Sequence, residues 1–279
     1  MDNKNERKLY VNIIGKTNSG KSTLINEIIS KKITATSKRP HTTTRIMKGV
    51  CSIDNHQIIF LDTPGITYLN GSTVNNEKAK NTINEQNDNL NIFVFPANRF
   101  FDNSIVNLSR FINVKNKVAL ISKIDTVKKL QLLPMTQKLK ELGFEYILYF
   151  SMKDKISIQE FKKFLITKTV EGEWDYDGKT YTDNTIDELL KEATKEILFE
   201  KLYDELPYSI KVLNDTVELN DKNEYVIHQS LLVKKSAHHI LLGIVKQLSI
   251  AIKNNIQKYL NTSKLIHLYI TVIDGKSTK

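Results

Sequence analysis

Gly15-Lys16-Thr17-Asn18-Ser19-Gly20-Lys21-Ser22-Thr23 stands between the apolar run Leu9-Tyr10-Val11-Asn12-Ile13-Ile14 and the helical pattern Leu24-Ile25-Asn26-Glu27-Ile28-Ile29. A strand, a glycine-bounded loop ending Gly-Lys-Ser, and a helix form a phosphate-binding unit. The glycines let the backbone curl so that its N–H groups converge on an anion, and the helix N-terminus adds positive potential. In this pattern Lys21 reaches the β- and γ-phosphates and the Ser22 hydroxyl ligates Mg²⁺. The predicted ligand of the stretch from Gly15 through Ser19, Gly20 and Thr23 is a nucleoside triphosphate.

Downstream the pattern of strand ends continues. Residues 33–45 are basic and threonine-rich and contain Pro40, which disfavours a regular element. Val50–Ile53 and Gln57–Leu61 read as strands joined by a turn at Asp54-Asn55-His56. The second strand runs into Asp62-Thr63-Pro64-Gly65, where Asp62 can hold Mg²⁺ through water and the Gly65 N–H can contact the γ-phosphate. Further strands are predicted over Leu90–Pro96, Lys117–Ser122 and Tyr146–Ser151, alternating with helices over 103–113, 134–142 and 157–169. Such alternation predicts a mostly parallel α/β sheet with helices on both faces, whose ligands bind at the strand C-termini. Ser122-Lys123-Ile124-Asp125 follows one of these strands. A carboxylate at Asp125 can accept the two N–H donors that guanine presents and adenine lacks, with the Lys123 stem packed on the base. Ser151-Met152-Lys153 follows the next strand, where a backbone N–H can point at the guanine oxygen.

Charge divides the chain. The formal net charge is +10, distributed as +9 over residues 1–183, −6 over 184–230 and +7 over 231–279. A basic C-terminal end is a candidate nucleic-acid face, and a solvated lysine-rich surface is the plain alternative. One cysteine, Cys51, excludes an internal disulfide framework and fits a reducing cytosol. No apolar run approaches transmembrane length. The polar stretch 171–183 reads as a linker, giving a nucleotide-binding domain over 1–171, a linker over 172–185 and a second domain over 186–279. The second domain reads as helix, two strands, two helices (about 236–241 and 244–260) and a last strand, a small α+β unit.

The order of these motifs, G-x-x-x-x-G-K-S, a threonine-rich segment, D-T-P-G, x-K-x-D and S-x-K, resembles the translation-factor-like GTPases. Tyr181-Thr182-Asp183, Glu188 and Glu205-Leu206-Pro207-Tyr208-Ser209 resemble the connection of the Era family into its RNA-binding KH domain. The resemblance covers nearly the whole chain. It implies a P-loop GTPase domain followed by a KH-type domain, in a cytoplasmic monomer that binds the 3′ end of small-subunit ribosomal RNA and assists ribosome assembly. Peripheral association with the inner face of the cell membrane is a further alternative the sequence leaves open. The ligands implied are GTP or GDP, Mg²⁺ held by Ser22, Thr43 and Asp62, and potassium bound with the help of Asn18. Lys21, Thr43, Gly65 and Asn18 are the implied catalytic group. Ile66 follows Gly65, so no glutamine there orients the attacking water.

Two positions depart from the family pattern. Ser122 stands where the family has asparagine, which removes one or two hydrogen bonds to base and loop. KH domains clamp nucleic acid with a G-x-x-G turn between paired helices, and the corresponding stretch is Gly243-Ile244-Val245-Lys246. RNA contact is therefore expected from Lys234, Lys235, Gly243 and Lys246, with selectivity reduced by the missing second glycine. Two other readings compete with an RNA-binding GTPase: a scaffold with eroded base and RNA recognition, and a P-loop ATPase or kinase, which Asp125 disfavours.

Overall fold

The structure, a computed structural model, describes residues 5–36, 47–62, 89–99 and 116–275, together with the backbone of 67–69 and 72–74. Thr43, Gly65, Ile66 and the helix predicted over 103–113 lie outside the described residues. The described residues form two compact units, 5–30 with 47–183, and 31–36 with 184–275.

In the first unit β1 (Arg7–Gly15) leads to α1 (Lys21–Ile29), and β2 (Met47–Ile53) returns through β3 (His56–Asp62) as a hairpin. β4 (Thr67–Leu69) and β5 (Ser72–Val74) pair with each other. β6 (Leu90–Pro96), β7 (Lys117–Ser122), α2 (Leu132–Glu141), β8 (Tyr146–Phe150), α3 (Lys155–Thr167) and β9 (Val170–Glu171) complete it. The main sheet runs β2-β3-β1-β6-β7-β8, parallel except for β2, with β9 antiparallel to the start of β1. This is the predicted architecture. β6 is buried from end to end and β1 and β7 over most of their length, as strands covered on both faces are. Ile14, Phe93, Phe95, Ala119 and Ile121 point to the face covered by Met135 and Leu139 of α2 and by Phe144.

Three buried asparagines at the centre of this unit pair with one another. Asn12 and Asn91 face each other in register, and the Asn12 amide donates to Asn91 Oδ1 at 2.9 Å. The Asn89 amide donates to Asn12 Oδ1 at 3.3 Å. Buried amides without such partners would each cost on the order of 1–3 kcal/mol.

The stretch read as a linker is held against the first unit through residue 183. Gln57 Oε1 accepts the N–H groups of Asp175 and Tyr176 at 2.9 and 3.1 Å, and its amide donates to the Tyr176 carbonyl at 2.8 Å. Tyr10 donates its hydroxyl proton to Asp175, which also pairs with Lys8 at 2.7 Å. The carbonyl of Tyr181 accepts the Val50 N–H at 2.9 Å, and Thr182 donates to the Lys48 carbonyl at 2.7 Å.

The second unit contains α4 (Ile186–Lys201), β10 (Lys211–Leu219), β11 (Tyr225–Val233), α5 (Lys235–Tyr259) and β12 (Ile266–Asp274). A capping box opens α4: Glu188 N–H donates to Thr185 Oγ1 and Thr185 N–H to Glu188 Oε2. β11 is central, antiparallel to β10 and parallel to β12. Leu190 and Ala193 of α4, Ile227 and Leu231 of β11, and Leu241, Ile252 and Ile256 of α5 share one core.

The two helices expected over 236–241 and 244–260 are one uninterrupted helix of 25 residues. The reason lies in the apolar period. Leu241, Leu248, Ile252, Ile256 and Tyr259 are all buried, so the core-facing stripe runs straight past Gly243. A lone glycine lowers helix stability by about 1 kcal/mol without ending the helix.

Candidate nucleotide-binding site

Parallel register brings the motif-bearing strand ends together. Ile13 pairs with Asp62, Gly15 with Val94, Pro96 with Ser122, and Ser122 with Phe150. The C-terminal ends of these strands therefore share one end of the sheet.

At the phosphate loop, glycine is required twice for different reasons. A Cβ on Gly15 would lie 2.8 Å from both the Val94 carbonyl oxygen and Ser19 Oγ, closer than real contacts allow. Gly20 has φ +99°, a conformation open to glycine and strained for other residues. Gly20 also begins α1, whose N-terminus has no side-chain cap, the end at which phosphates bind to helix N–H groups. Thr23 is exposed on the first turn of that helix, and the Ser19 side chain is buried beneath the loop.

Lys21 is buried, and its ammonium donates to the carbonyls of Gly15 and Lys16 at 3.1 and 2.9 Å. Burial pushes its pKa down to about 8, with the charge of Asp62 opposing. A polyphosphate entering the loop meets an ammonium held by neutral carbonyls. Ser22 donates to Asp62 Oδ2 at 2.8 Å, and Asp62 is fully buried. A hydroxyl and a carboxylate in contact, both hard oxygen donors, fit Mg²⁺ better than softer metals.

The loop after β7 is tied to the loop between β1 and α1. Ser122 donates to the Ser19 carbonyl at 2.9 Å, and Lys123 Nζ to the Asn18 carbonyl at 3.0 Å. Asn18 and Lys123 both adopt left-handed conformations, φ 62° and 58°, which aim these groups at each other. Burial lowers the pKa of Lys123, helped by Arg99 and opposed by Asp125. The Asp125 carboxylate is engaged at both oxygens: Lys153 Nζ lies 2.9 Å from Oδ2, and Ser151 donates to Oδ1 at 2.8 Å. The Lys153 bond, then that of Ser151, holds its pKa below the usual carboxylate value. Ser151 is fixed in turn by Ser157, whose hydroxyl donates to its carbonyl at 2.9 Å and accepts its N–H at 3.1 Å. Met152 is half-buried between them.

The sequence pointed to Ser151, Met152 and Lys153 through a backbone N–H. It did not disclose the two side-chain bonds to Asp125, nor the bond from Ser122 to Ser19 across 103 positions. The serine at 122 thus keeps a tether to the loop.

In the second unit Lys234 precedes α5, and Lys235, Gly243 and Lys246 lie on it. The expected turn at 243–246 is absent, because these residues are helical. A Cβ on Gly243 would meet nothing within 4 Å.

A family model described as 50S ribosome-binding GTPase matches residues 10–124. GTPase Era of Mycoplasmopsis pulmonis is 34% identical over 276 residues, covering 95% of this chain and 94% of the relative. GTPase Era of Mycoplasmopsis agalactiae is 30% identical over 273 residues, covering 94% and 92%. Among solved structures, Era in complex with MgGDPNP and nucleotides 1506–1542 of 16S ribosomal RNA superposes with a TM-score of 0.81 at 26% identity, covering 96% of this chain and 94% of that one. A variant of Aquifex aeolicus Era bound to GDP and aluminium fluoride gives the same score and identity. A glycine-bounded loop, the Ser22–Asp62 pair and the Asp125 carboxylate at neighbouring strand ends, in a chain that GTPase Era of Mycoplasmopsis pulmonis matches over 95% of its length at 34% identity, place it in the Era family of GTPases.

Proposed function

We propose that this chain is a cytoplasmic, monomeric switch that hydrolyses GTP slowly, binds the 3′ end of small-subunit ribosomal RNA and assists assembly of the small subunit. The observation that carries the reading is the convergence of Lys21, the Ser22–Asp62 pair and Asp125 at adjacent strand ends. Lys21 exchanges its two carbonyl partners for phosphate oxygens and carries positive charge where negative charge develops on the γ-phosphoryl group. Asp125 pairs with the two guanine donors once Lys153 is displaced from it. Lys123 and Ser122 keep the base-reading and phosphate loops in fixed relation. Mg²⁺, when bound at Ser22 and Asp62 with Thr43, supplies charge neutralisation between the phosphates. Potassium, if bound with the help of Asn18, would supply a second cation in place of an arginine.

For RNA, the support is charge and alignment. At 100° per residue an unbroken helix sets Lys235, Lys246 and Lys253 within about 20° of one another, spread over roughly 27 Å. Such a row attracts phosphates without a clamping turn, so binding is expected to be salt-dependent and weakly selective for sequence. The relation to Era in complex with 16S ribosomal RNA supports the choice of RNA.

Equilibrium binding of GDP, a non-hydrolysable GTP analogue and ATP tests the reading. Each is measured with and without an RNA carrying the small-subunit 3′ sequence, in sodium and in potassium buffer. Guanine preference, RNA binding that weakens steeply with salt and turnover raised by potassium are expected. Binding of guanine nucleotides with no RNA binding at low salt would favour the scaffold alternative, which the absent turn at 243–246 already invites.

A further inference from the structure

Ser122 ends β7, and in the parallel register of the sheet it pairs with Phe150, the last residue of β8. From there the chain continues into Lys123 and Asp125 on one strand, and into Ser151 and Met152 on the other. Ser122 is only 3% exposed, and Ser19, whose carbonyl accepts its hydroxyl proton at 2.9 Å, is wholly inaccessible. A serine hydroxyl has one proton to give. Turning it toward a ligand would strand the buried Ser19 carbonyl, and an unpaired buried acceptor costs more than an ordinary hydrogen bond returns. An asparagine amide carries two protons and can serve the loop and a ligand together. At position 122 the bond to the loop is kept, so the bond that serine forgoes is the one to the ligand.

We propose that Ser122 is a specificity-determining residue: the chain reads guanine at N1, N2 and O6, is indifferent to N7, and accepts guanine nucleotides that lack the N7 acceptor. This rests on the guanine-nucleotide reading given above. Around the purine the atoms follow in the order N2, N1, O6 and N7, and N9 carries the ribose and its phosphates. In that reading Asp125 takes the donors on N1 and N2. The O6 acceptor falls to the segment Ser151–Lys153, which is bonded to both oxygens of Asp125. N7 is the next atom toward the phosphates. Across the sheet from β8 toward β1, the next strand end is that of β7, which is tied to Ser19. Position 122 therefore faces N7. Neighbouring side chains do not replace the missing donor. The Ser151 hydroxyl is given to Asp125 at 2.8 Å, and the Lys123 ammonium to the Asn18 carbonyl at 3.0 Å. A site that hydrogen-bonds a group rejects the analogue without it, whereas a site that leaves the group unread does not tell the two apart.

The test measures binding of GDP, 7-deaza-GDP and IDP to the intact chain and to Ser122→Asn, with thermal melting of both proteins. 7-Deaza-GDP carries a C–H in place of N7, and IDP lacks the amino group at C2. The parent should bind GDP and 7-deaza-GDP within about 1.5-fold of each other. Ser122→Asn should prefer GDP by about two- to tenfold, the worth of one ordinary hydrogen bond. IDP should bind the parent at least about tenfold more weakly than GDP, the mark of a carboxylate at the amino group. A parent that prefers GDP over 7-deaza-GDP beyond the expected margin overturns the inference. So does a Ser122→Asn protein that melts like the parent and stays indifferent to N7. If the asparagine variant does not fold, the parent comparison decides alone. A parent that binds IDP as well as GDP, or binds neither, overturns the guanine reading itself, and this inference with it.

Discussion

The hydroxyl of Ser122 lies 2.9 Å from the carbonyl oxygen of Ser19, joining the end of β7 to the middle of the phosphate loop. Both residues are buried, so this bond is sheltered from competing water. It ties the loop after β7 to the loop between β1 and α1 even though the residue at 122 is short. Ser122→Ala would strand a buried acceptor at a cost on the order of 1–3 kcal/mol. The expected outcome is about tenfold weaker binding of GDP and GTP alike, read by fluorescence titration. Ser122→Asn should bind both more tightly than the parent. Unchanged affinity in the alanine variant would show that the loop is held without this bond.

The proposed function makes Asp125 the expected source of guanine preference, and the Lys153 ammonium occupies one oxygen of its carboxylate. Asp125→Asn should lose GTP preference and gain affinity for xanthine nucleotides, whose C2 carries an oxygen. The Lys153 ion pair is solvent-exposed on the lysine side, so its worth is under about 1 kcal/mol. Lys153→Ala should therefore raise guanine affinity by less than about fivefold, and only at low salt. A gain that persists at high salt would point to more than charge competition.

Nucleotide affinity should fall as pH rises through about 8. Lys21 has its pKa lowered to about 8 by burial in the nucleotide-free protein, and a bound polyphosphate favours the charged form. Below that pH the ammonium is already charged and affinity is flat in this respect. Above it, binding must take up a proton, so affinity drops toward tenfold per pH unit. The pH dependence of Lys21→Met, subtracted from that of the parent, isolates this contribution. A parent curve with no excess slope between about pH 8 and 9.5 would contradict it.

Gly243→Ala should stabilise the chain, because the position is helical and an added Cβ meets open space. The gain expected is about 0.5–1 kcal/mol, measured by denaturant unfolding followed by circular dichroism. Val245→Gly with Lys246→Gly should lower stability by a kilocalorie or two and reduce helix content. Were a turn present at 243–246, the alanine change would destabilise and the double glycine change would not.

What could be read from the sequence was local. Gly15 to Thr23 lies between its own strand and helix, and Thr185 with Glu188 announces the start of α4 by spacing alone. What could not be read depends on partners far away in sequence. The stretch 172–183 has no period to betray it, and its order comes from Gln57 and Tyr10, more than a hundred positions earlier. Glu192 and Glu196 flank the apolar face of α4, where charged side chains are ordinarily solvated, and distant partners in residues 32–36 and at Asn255 help to explain their burial. At α5 the opposite happened. A motif expectation placed a turn at Gly243, while the apolar spacing of Leu241, Leu248 and Ile252 already described a continuous helix.

The amides of Asn12 in β1, Asn91 in β6 and Asn89 just before β6 are buried among largely apolar strands. Apolar strands are tolerant of sliding, since one isoleucine serves nearly as well as the next. Three interlocking amides are not, because a slip would leave each of them buried and unmatched. They act as an indexing pin between β1 and β6, and what they index lies three residues further on. Gly15 opposite Val94 is the one alignment that lets the loop start against that carbonyl. The start of the loop between β1 and α1 is thus set from below, by side chains buried inside the sheet.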